Sequence, residues 1–412
     1  MMSGLTPEKE GRWGIGSRVV AVMVVGAAVV ALVTFGRLRQ APPERPRDID
    51  AVYGYVAGLA WRMGLDPYDY PRYERLGRSV GGAPIRCSFA YAPTAAALVM
   101  PLSRLTPGAA DRALAALNVA SALAAGFVLA AAVGRRVGEA LGGWRPVASA
   151  GVAALAIGSP QAALNLYQGQ TTLFCLALVC LAFWADERGR PLLCGALLGV
   201  ATFKISLPVF VIALVLFERR WKVLGALAVT ALLLASYPLL RDGPVGLARG
   251  WLGAMRLYRE FPWNRPDYES AFGFAGALKG VGLPTGLAPL VALLGLGWLY
   301  LRRNVADPLE RFAVALALPV LFVSGHLYDA VAFSPLYAAV LLATRRTPPA
   351  FAASVVGIAL MVLPPSIWNR LVPFRWGKEV VALGLLAVLV ACVELRVARK
   401  AETLRGVAVD QG

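Results

Sequence analysis

The sequence predicts an all-α polytopic membrane protein, a bundle of about twelve transmembrane helices with a large first external loop. Three observations carry this. The 412 residues are 58% hydrophobic and only 16% charged, whereas soluble domains hold about 45–50% apolar and about 25% charged residues. Mean hydropathy is +0.63, and apolar runs recur along nearly the whole chain. Short basic clusters, from Arg135-Arg136 to Arg396–Lys400, flank those runs as the positive-inside rule expects.

The first apolar run, 19–35, has the length of a signal-peptide core. No small-residue cleavage site precedes Arg37-Leu38-Arg39, so a retained span is expected. Further spans are expected near 113–134, 147–166, 171–185, the two halves of 191–217, 223–240, 283–301, 312–324, 330–343, 351–363 and 380–395. Lys204 and Pro208 interrupt 191–217, which predicts two short helices meeting at the outer face. Pro93 and Pro101 interrupt 89–102, which predicts a re-entrant or interfacial hairpin.

With the basic loops inside, the whole chain, 1–412, reads as one integral membrane domain with two long external loops, 37–112 and 241–279. Both are rich in aromatics and arginine, a composition suited to the headgroup zone. The net charge of +17, from 41 basic and 24 acidic residues, therefore points to anionic membrane lipids and phosphates and not to nucleic acid. Five cysteines, Cys87, Cys175, Cys180, Cys194 and Cys392, are odd in number and lack metal-type spacing; they read as packing residues.

Ionisable and polar groups at span mouths are the candidates for chemistry, because leaving them there is costly. Four places qualify, and all fall on the external side: Asp48/Asp50, Gln168-Gly169-Gln170 with Asn165, Lys204, and His326-Leu327-Tyr328-Asp329. A single carboxylate such as Asp50 at a low-dielectric surface suits a general base for an acceptor hydroxyl. The competing reading is a solvated loop charge or an N-cap for a helix starting at Ala51. Lys204 and His326 suit a phosphate, or alternatively a snorkelling lysine and a hydrogen-bonded interfacial histidine. Asp329 could orient the His326 ring. Gln168 and Gln170 are a polar turn or a pair of amides for sugar hydroxyls. Tyr91-Ala92-Pro93 reads as an interfacial anchor. Asp48-Ile49-Asp50 has the form D-x-D, yet two carboxylates seldom fill a divalent ion's shell, so no metal is expected.

Taken in order, Asp50, Gly64-Leu65-Asp66-Pro67-Tyr68, Phe89-Ala90-Tyr91-Ala92-Pro93, Gln168-Gly169-Gln170, Lys204 and His326-Leu327-Tyr328-Asp329 resemble the pattern of glycosyltransferase family 87, polytopic bacterial enzymes of the GT-C superfamily related to polyprenol-phosphate-mannose-dependent alpha-mannosyltransferases. The resemblance implies a GT-C-type bundle in the bacterial cytoplasmic membrane, with its site facing the extracytoplasmic side. It implies transfer of mannose or a similar sugar, with inversion, from a polyprenyl-phosphate donor to a lipid or glycan acceptor, without cofactor. Counting back from the D-P-Y turn, it implies Asp50 as the catalytic base, or Asp48 if one gap is inserted. It further implies donor-phosphate contacts from His326, Lys204 and Arg265, and sugar or acceptor contacts from Tyr91, Gln168, Gln170, Tyr328 and Asp329. Two departures stand out: Lys204-Ile205-Ser206-Leu207-Pro208 replaces the usual K-P-x-P, and Tyr268-Glu269-Ser270 replaces an N-x-S-like stretch. A transporter or flippase of lipid-linked sugars and a non-catalytic paralogue are the alternatives; no internal repeat favours the former.

Overall fold

The computed structural model describes residues 7–37, 50–81, 85–137, 143–266, 268, 271–323, 325–364, 367–368, 370 and 377–410. Helices dominate. In chain order they begin with α1 (Pro7–Arg37), α2 (Ala51–Arg62), α3 (Tyr70–Gly81), α4 (Ala96–Leu102) and α5 (Pro107–Val137). There follow α6 (Arg145–Gly158), α7 (Pro160–Gln168), α8 (Thr172–Asp186), α9 (Pro191–Ala201), α10 (Val209–Phe217), α11 (Trp221–Leu234) and α12 (Ser236–Glu260). The last are α13 (Phe274–Gly280), α14 (Leu287–Leu301), α15 (Pro308–Phe322), α16 (Ser334–Thr344), α17 (Pro348–Met361) and α18 (Gly377–Asp410). One two-stranded antiparallel ribbon, β1 (Ala271–Phe272) with β2 (Gly325–His326), pairs Ala271 with His326.

The apolar runs expected to cross the membrane are helical, but 147–166 is divided between α6 and α7 at Ser159, 223–240 is bent between α11 and α12, and 330–343 begins in a 3-10 turn, Leu327–Phe333. Among the described residues five helices or helix pairs are long and apolar enough to span a bilayer, and the bent pair α11–α12 raises this to six. The remaining apolar helices are shorter; the 15 residues of α8 rise about 22 Å at 1.5 Å per residue, less than the hydrocarbon thickness. The break within 191–217 falls at 202–208: α9 ends in a 3-10 turn, Thr202–Lys204, before α10 starts at Val209. Local chemistry sets several boundaries. Ser159 accepts from the Ala162 amide and Pro160 occupies the first turn of α7. Asp307 and Glu310 form a capping box at the start of α15.

The core is one continuous layer of small and branched side chains in which α6 packs between α1 and α5, while α8 and α9 carry the packing on to α11. Its far end is closed by ion pairs. Arg136 meets both Glu187 (2.7 Å) and Asp307 (2.8 Å), Arg220 pairs with Asp186, Arg311 with Glu218, Arg396 with Glu310 (2.6 Å) and Arg302 with Glu394 (2.7 Å). These residues sit at the ends of α5, α8, α10, α14 and α15 and within α18. Several of the arginines that flank the apolar runs are thus partly neutralised by acids from neighbouring helix ends.

Candidate functional site

Asp50 immediately precedes α2, yet its side chain makes no capping hydrogen bond to that helix. Its carboxylate instead accepts from the side-chain amide of Gln170. That amide is held on all sides. Gln170 Oε1 accepts from the Tyr91 hydroxyl (3.2 Å), its carbonyl accepts from Asn118 Nδ2 (2.8 Å), and its backbone N–H donates to the Asn165 carbonyl (2.9 Å). Thr171 Oγ1 donates to the Tyr91 hydroxyl oxygen at 3.1 Å. Burial pushes the Tyr91 phenol above its ordinary value, so at neutral pH it stays a hydroxyl able to donate. The whole arrangement turns on Gly169, whose φ of 66° ends α7 in the left-handed region. A Cβ there would lie 2.5 Å from the Ala51 Cβ, so only glycine lets the turn approach α2 this closely.

Two residues further on, a second cluster begins. Lys204 Nζ is 2.9 Å from Asp329 Oδ1 and donates to Thr172 Oγ1 at 2.6 Å, while Thr172 Oγ1 donates to Asp329 Oδ1 at 2.8 Å. Lys204 also lies 5.0 Å from the Tyr328 ring centroid. Asp329 Oδ2 accepts from the backbone N–H of His326 (3.0 Å), so it fixes the histidine main chain. The His326 ring stacks on Tyr328 with centroids 5.1 Å apart, and its Nε2 is 3.3 Å from the Tyr258 hydroxyl. The β1–β2 pairing ties the second long loop to this segment. Asn165 joins the clusters, since its Nδ2 donates to the Tyr328 carbonyl at 2.8 Å.

The structure therefore brings together Asp50, Tyr91 and Gln170 on one side and Lys204, Tyr328, Asp329 and His326 on the other, joined through the adjacent residues 170–172. Gln168 ends α7, and its Oε1 is buried with no hydrogen-bond partner among the described residues. Arg265 is exposed; its Nε donates to the Glu260 carbonyl (3.3 Å), and no hydrogen bond or ion pair joins it to His326 or Lys204. Asp48, Glu269 and Ser270 lie outside the described residues.

Asp50 faces a cavity of about 480 Å³ whose walls are mostly apolar, among them Val56, Phe89, Leu98, Val99 and Leu102. Tyr55, Tyr91, Thr171, Asp111 and Arg112 are the polar residues that line it with Asp50. Arg112 is exposed and pairs with no described carboxylate. Neither Arg112 nor Tyr258 was distinguishable in sequence. Arg112 lies where loop meets span, like many basic residues, and Tyr258 is one tyrosine among several in its loop. Among the described residues no group of three or more His, Cys, Asp or Glu is arranged to hold a metal ion.

A family model, that of glycosyltransferase family 87, matches residues 89–325, more than half of the chain. The match begins at the Phe89-Ala90-Tyr91-Ala92-Pro93 segment and stops one residue before His326, so Asp50 lies outside it. No curated protein matches the chain.

Proposed function

The chain belongs to glycosyltransferase family 87, and we propose that it moves mannose or a similar sugar from a polyprenyl-phosphate donor to a lipid or glycan acceptor, with inversion, using Asp50 as general base. The single observation that carries this reading is the position of Asp50. Its carboxylate is half-buried, accepts from Gln170, and faces a mostly apolar cavity that is also lined by Arg112, which pairs with no described carboxylate. Such a cavity suits a lipid-borne substrate, and the pairing of one base with one cation suits displacement of a phosphate. Asp50 takes the acceptor hydroxyl proton as the new C–O bond forms at the anomeric carbon. The bond from that carbon to the phosphate oxygen breaks on the opposite face, and its electron pair leaves with the phosphate.

Lys204 is expected to act indirectly, because Asp329 already compensates its charge. Arg112, which lines the same cavity as Asp50, is the better partner for the leaving phosphate; His326 belongs to the Lys204–Asp329 cluster, and Arg265 contributes only long-range charge. Gln168, Tyr91 and Tyr328 offer hydroxyl and amide groups for the sugar and acceptor. About twelve crossings follow if the short apolar helices also cross. The ion-paired basic ends lie at the Asp186 end of α8 and the Lys204–Asp329 cluster at its Thr172 end, which supports a site on the extracytoplasmic face of a bacterial cytoplasmic membrane.

The test is transfer itself: the purified chain in vesicles with radiolabelled polyprenyl-phosphate sugars and membrane acceptors. Label appearing on the acceptor, with loss on Arg112→Gln concentrated in KM for the donor, supports the reading. Label that crosses the bilayer unchanged identifies a transporter. Label that neither moves nor transfers with any donor identifies a non-catalytic paralogue.

A further inference from the structure

α12 leaves α11 at a bend of 96° and is broken again at Gly243 (φ 68°), where Pro244 opens its second part. Along that part Val245, Arg249, Leu252, Arg256 and Arg259 recur at alternating steps of four and three residues. At about 100° per residue they fall within roughly 80° of arc, a single stripe. All five are exposed, Val245 to 69% and Leu252 to 51%. None of the three arginines pairs with a described carboxylate, in contrast to the ion-paired arginines at the far helix ends.

The opposite face of the helix is engaged with the protein. Leu247 and Ala254 are buried, Trp251 Nε1 donates to the Ala90 carbonyl (3.2 Å), and Ser88 Oγ donates to the Ala254 carbonyl (2.7 Å). Tyr258 reaches His326. The stripe is thus a free face carrying both cations and apolar groups on a helix nearly perpendicular to an apolar one.

We infer that this stripe of α12 is a docking surface for the anionic phospholipid headgroups of the membrane. With α11 along the bilayer normal, α12 lies across it. Val245 and Leu252 then dip toward the acyl boundary while the arginines extend to phosphates. A membrane surface fits better than a single phosphate ligand. Arg249 and Arg259 are separated by about 15 Å of helix rise, so the three guanidinium groups spread along a line and do not converge on one anion. The inference rests on the membrane location of the chain and stands apart from the proposed sugar transfer. Because the same helix presents Tyr258 to His326, headgroup binding would also steady one wall of the site.

The experiment uses the full chain, delipidated in detergent and titrated with phosphatidylglycerol or phosphatidylcholine, with bound lipid counted by native mass spectrometry. Phosphatidylglycerol is expected to bind preferentially, and higher ionic strength to weaken that preference. Each arginine is worth about fivefold at an anionic surface, so Arg249→Gln/Arg256→Gln/Arg259→Gln should lose roughly 100-fold of it. The corresponding triple lysine variant should keep most of the preference, and Arg345→Gln/Arg346→Gln, at an exposed turn outside the stripe, should lose far less of it than the triple glutamine variant. Equal binding of the two lipids by the wild type overturns the inference, as does an unchanged preference in the glutamine variant. Displacement of phosphatidylglycerol by inorganic phosphate at matched ionic strength would assign the stripe to a free-phosphate site instead. If the glutamine variant does not fold, the salt dependence of the wild type and the lysine variant decide.

Discussion

Gly169→Ala tests the geometry around Asp50 without touching a reacting group. An alanine at φ 66° costs about 1–2 kcal/mol in the left-handed region. The new methyl group would lie 2.5 Å from the Ala51 Cβ, whereas carbon atoms in contact prefer about 3.5–4.0 Å, so α2 and the 169–171 turn must separate by about 1 Å. Asp50 and Gln170 lie on opposite sides of that contact. A displacement of about 1 Å at a reacting group costs on the order of 100-fold in rate. The expected result is a protein that is only modestly less stable by thermal unfolding but about 100-fold slower in transferring labelled sugar from a polyprenyl-phosphate donor. Gly189→Ala is the matched control: its φ is 65°, yet nothing lies within 4 Å of its added Cβ. It should show the same strain with unchanged transfer. Removing the opposing methyl group with Ala51→Gly should restore most of the rate to Gly169→Ala, since the nearest remaining atoms are then the Ala51 Cα and N at 3.3 Å. Full activity in Gly169→Ala, or no recovery in the double variant, would refute the reasoning.

Two further outcomes are expected. Removing either partner of the Lys204–Asp329 pair leaves a buried uncompensated charge and should cost about 3–5 kcal/mol, whereas Lys204→Met combined with Asp329→Leu should cost less than either single change. Chemical denaturation of the three variants checks this; equal losses in all three would argue against a buried pair. Burial raises the phenol of Tyr73 well above its ordinary value, and its hydroxyl donates to the Tyr53 carbonyl at 2.6 Å. Stability from that group is complete below about pH 10, the unfolded tyrosine value, and is lost as pH rises toward the folded one. Tyr73→Phe should therefore lose about 1 kcal/mol at neutral pH and fall less steeply in alkali, as a pH series of unfolding midpoints would show. An alkaline limb as steep as that of the wild type would contradict the assignment.

Much of this architecture was legible in the sequence because a membrane helix needs a long apolar run, and such runs are visible residue by residue. The break at 202–208 was legible for the same reason, since Lys204 and Pro208 each interrupt the pattern. The candidate residues stood out as polar exceptions at span mouths, and the structure gathers segments as distant in sequence as Asp50 and Gln170. Pairings were not legible. Nothing in the sequence joins Lys204 to Asp329, or Arg136 to Glu187, because the acids that neutralise these cations come from other helices. The β1–β2 ribbon, with two residues per strand, is too short to show any periodicity. The α12 stripe was hidden because the helix boundary and the bend at Gly243 must be known before its residues can be placed on one face.

The role of Asp50 is tested most directly by the single-turnover rate of sugar transfer in Asp50→Asn. That change keeps the size of the side chain while removing its ability to take a proton. If Asp50 is the base, the rate falls by about 10²–10⁴-fold with donor binding unchanged, while Asp48→Asn transfers normally. Transfer by Asp50→Asn at the wild-type rate would contradict the proposal and leave the carboxylate a purely structural partner of Gln170.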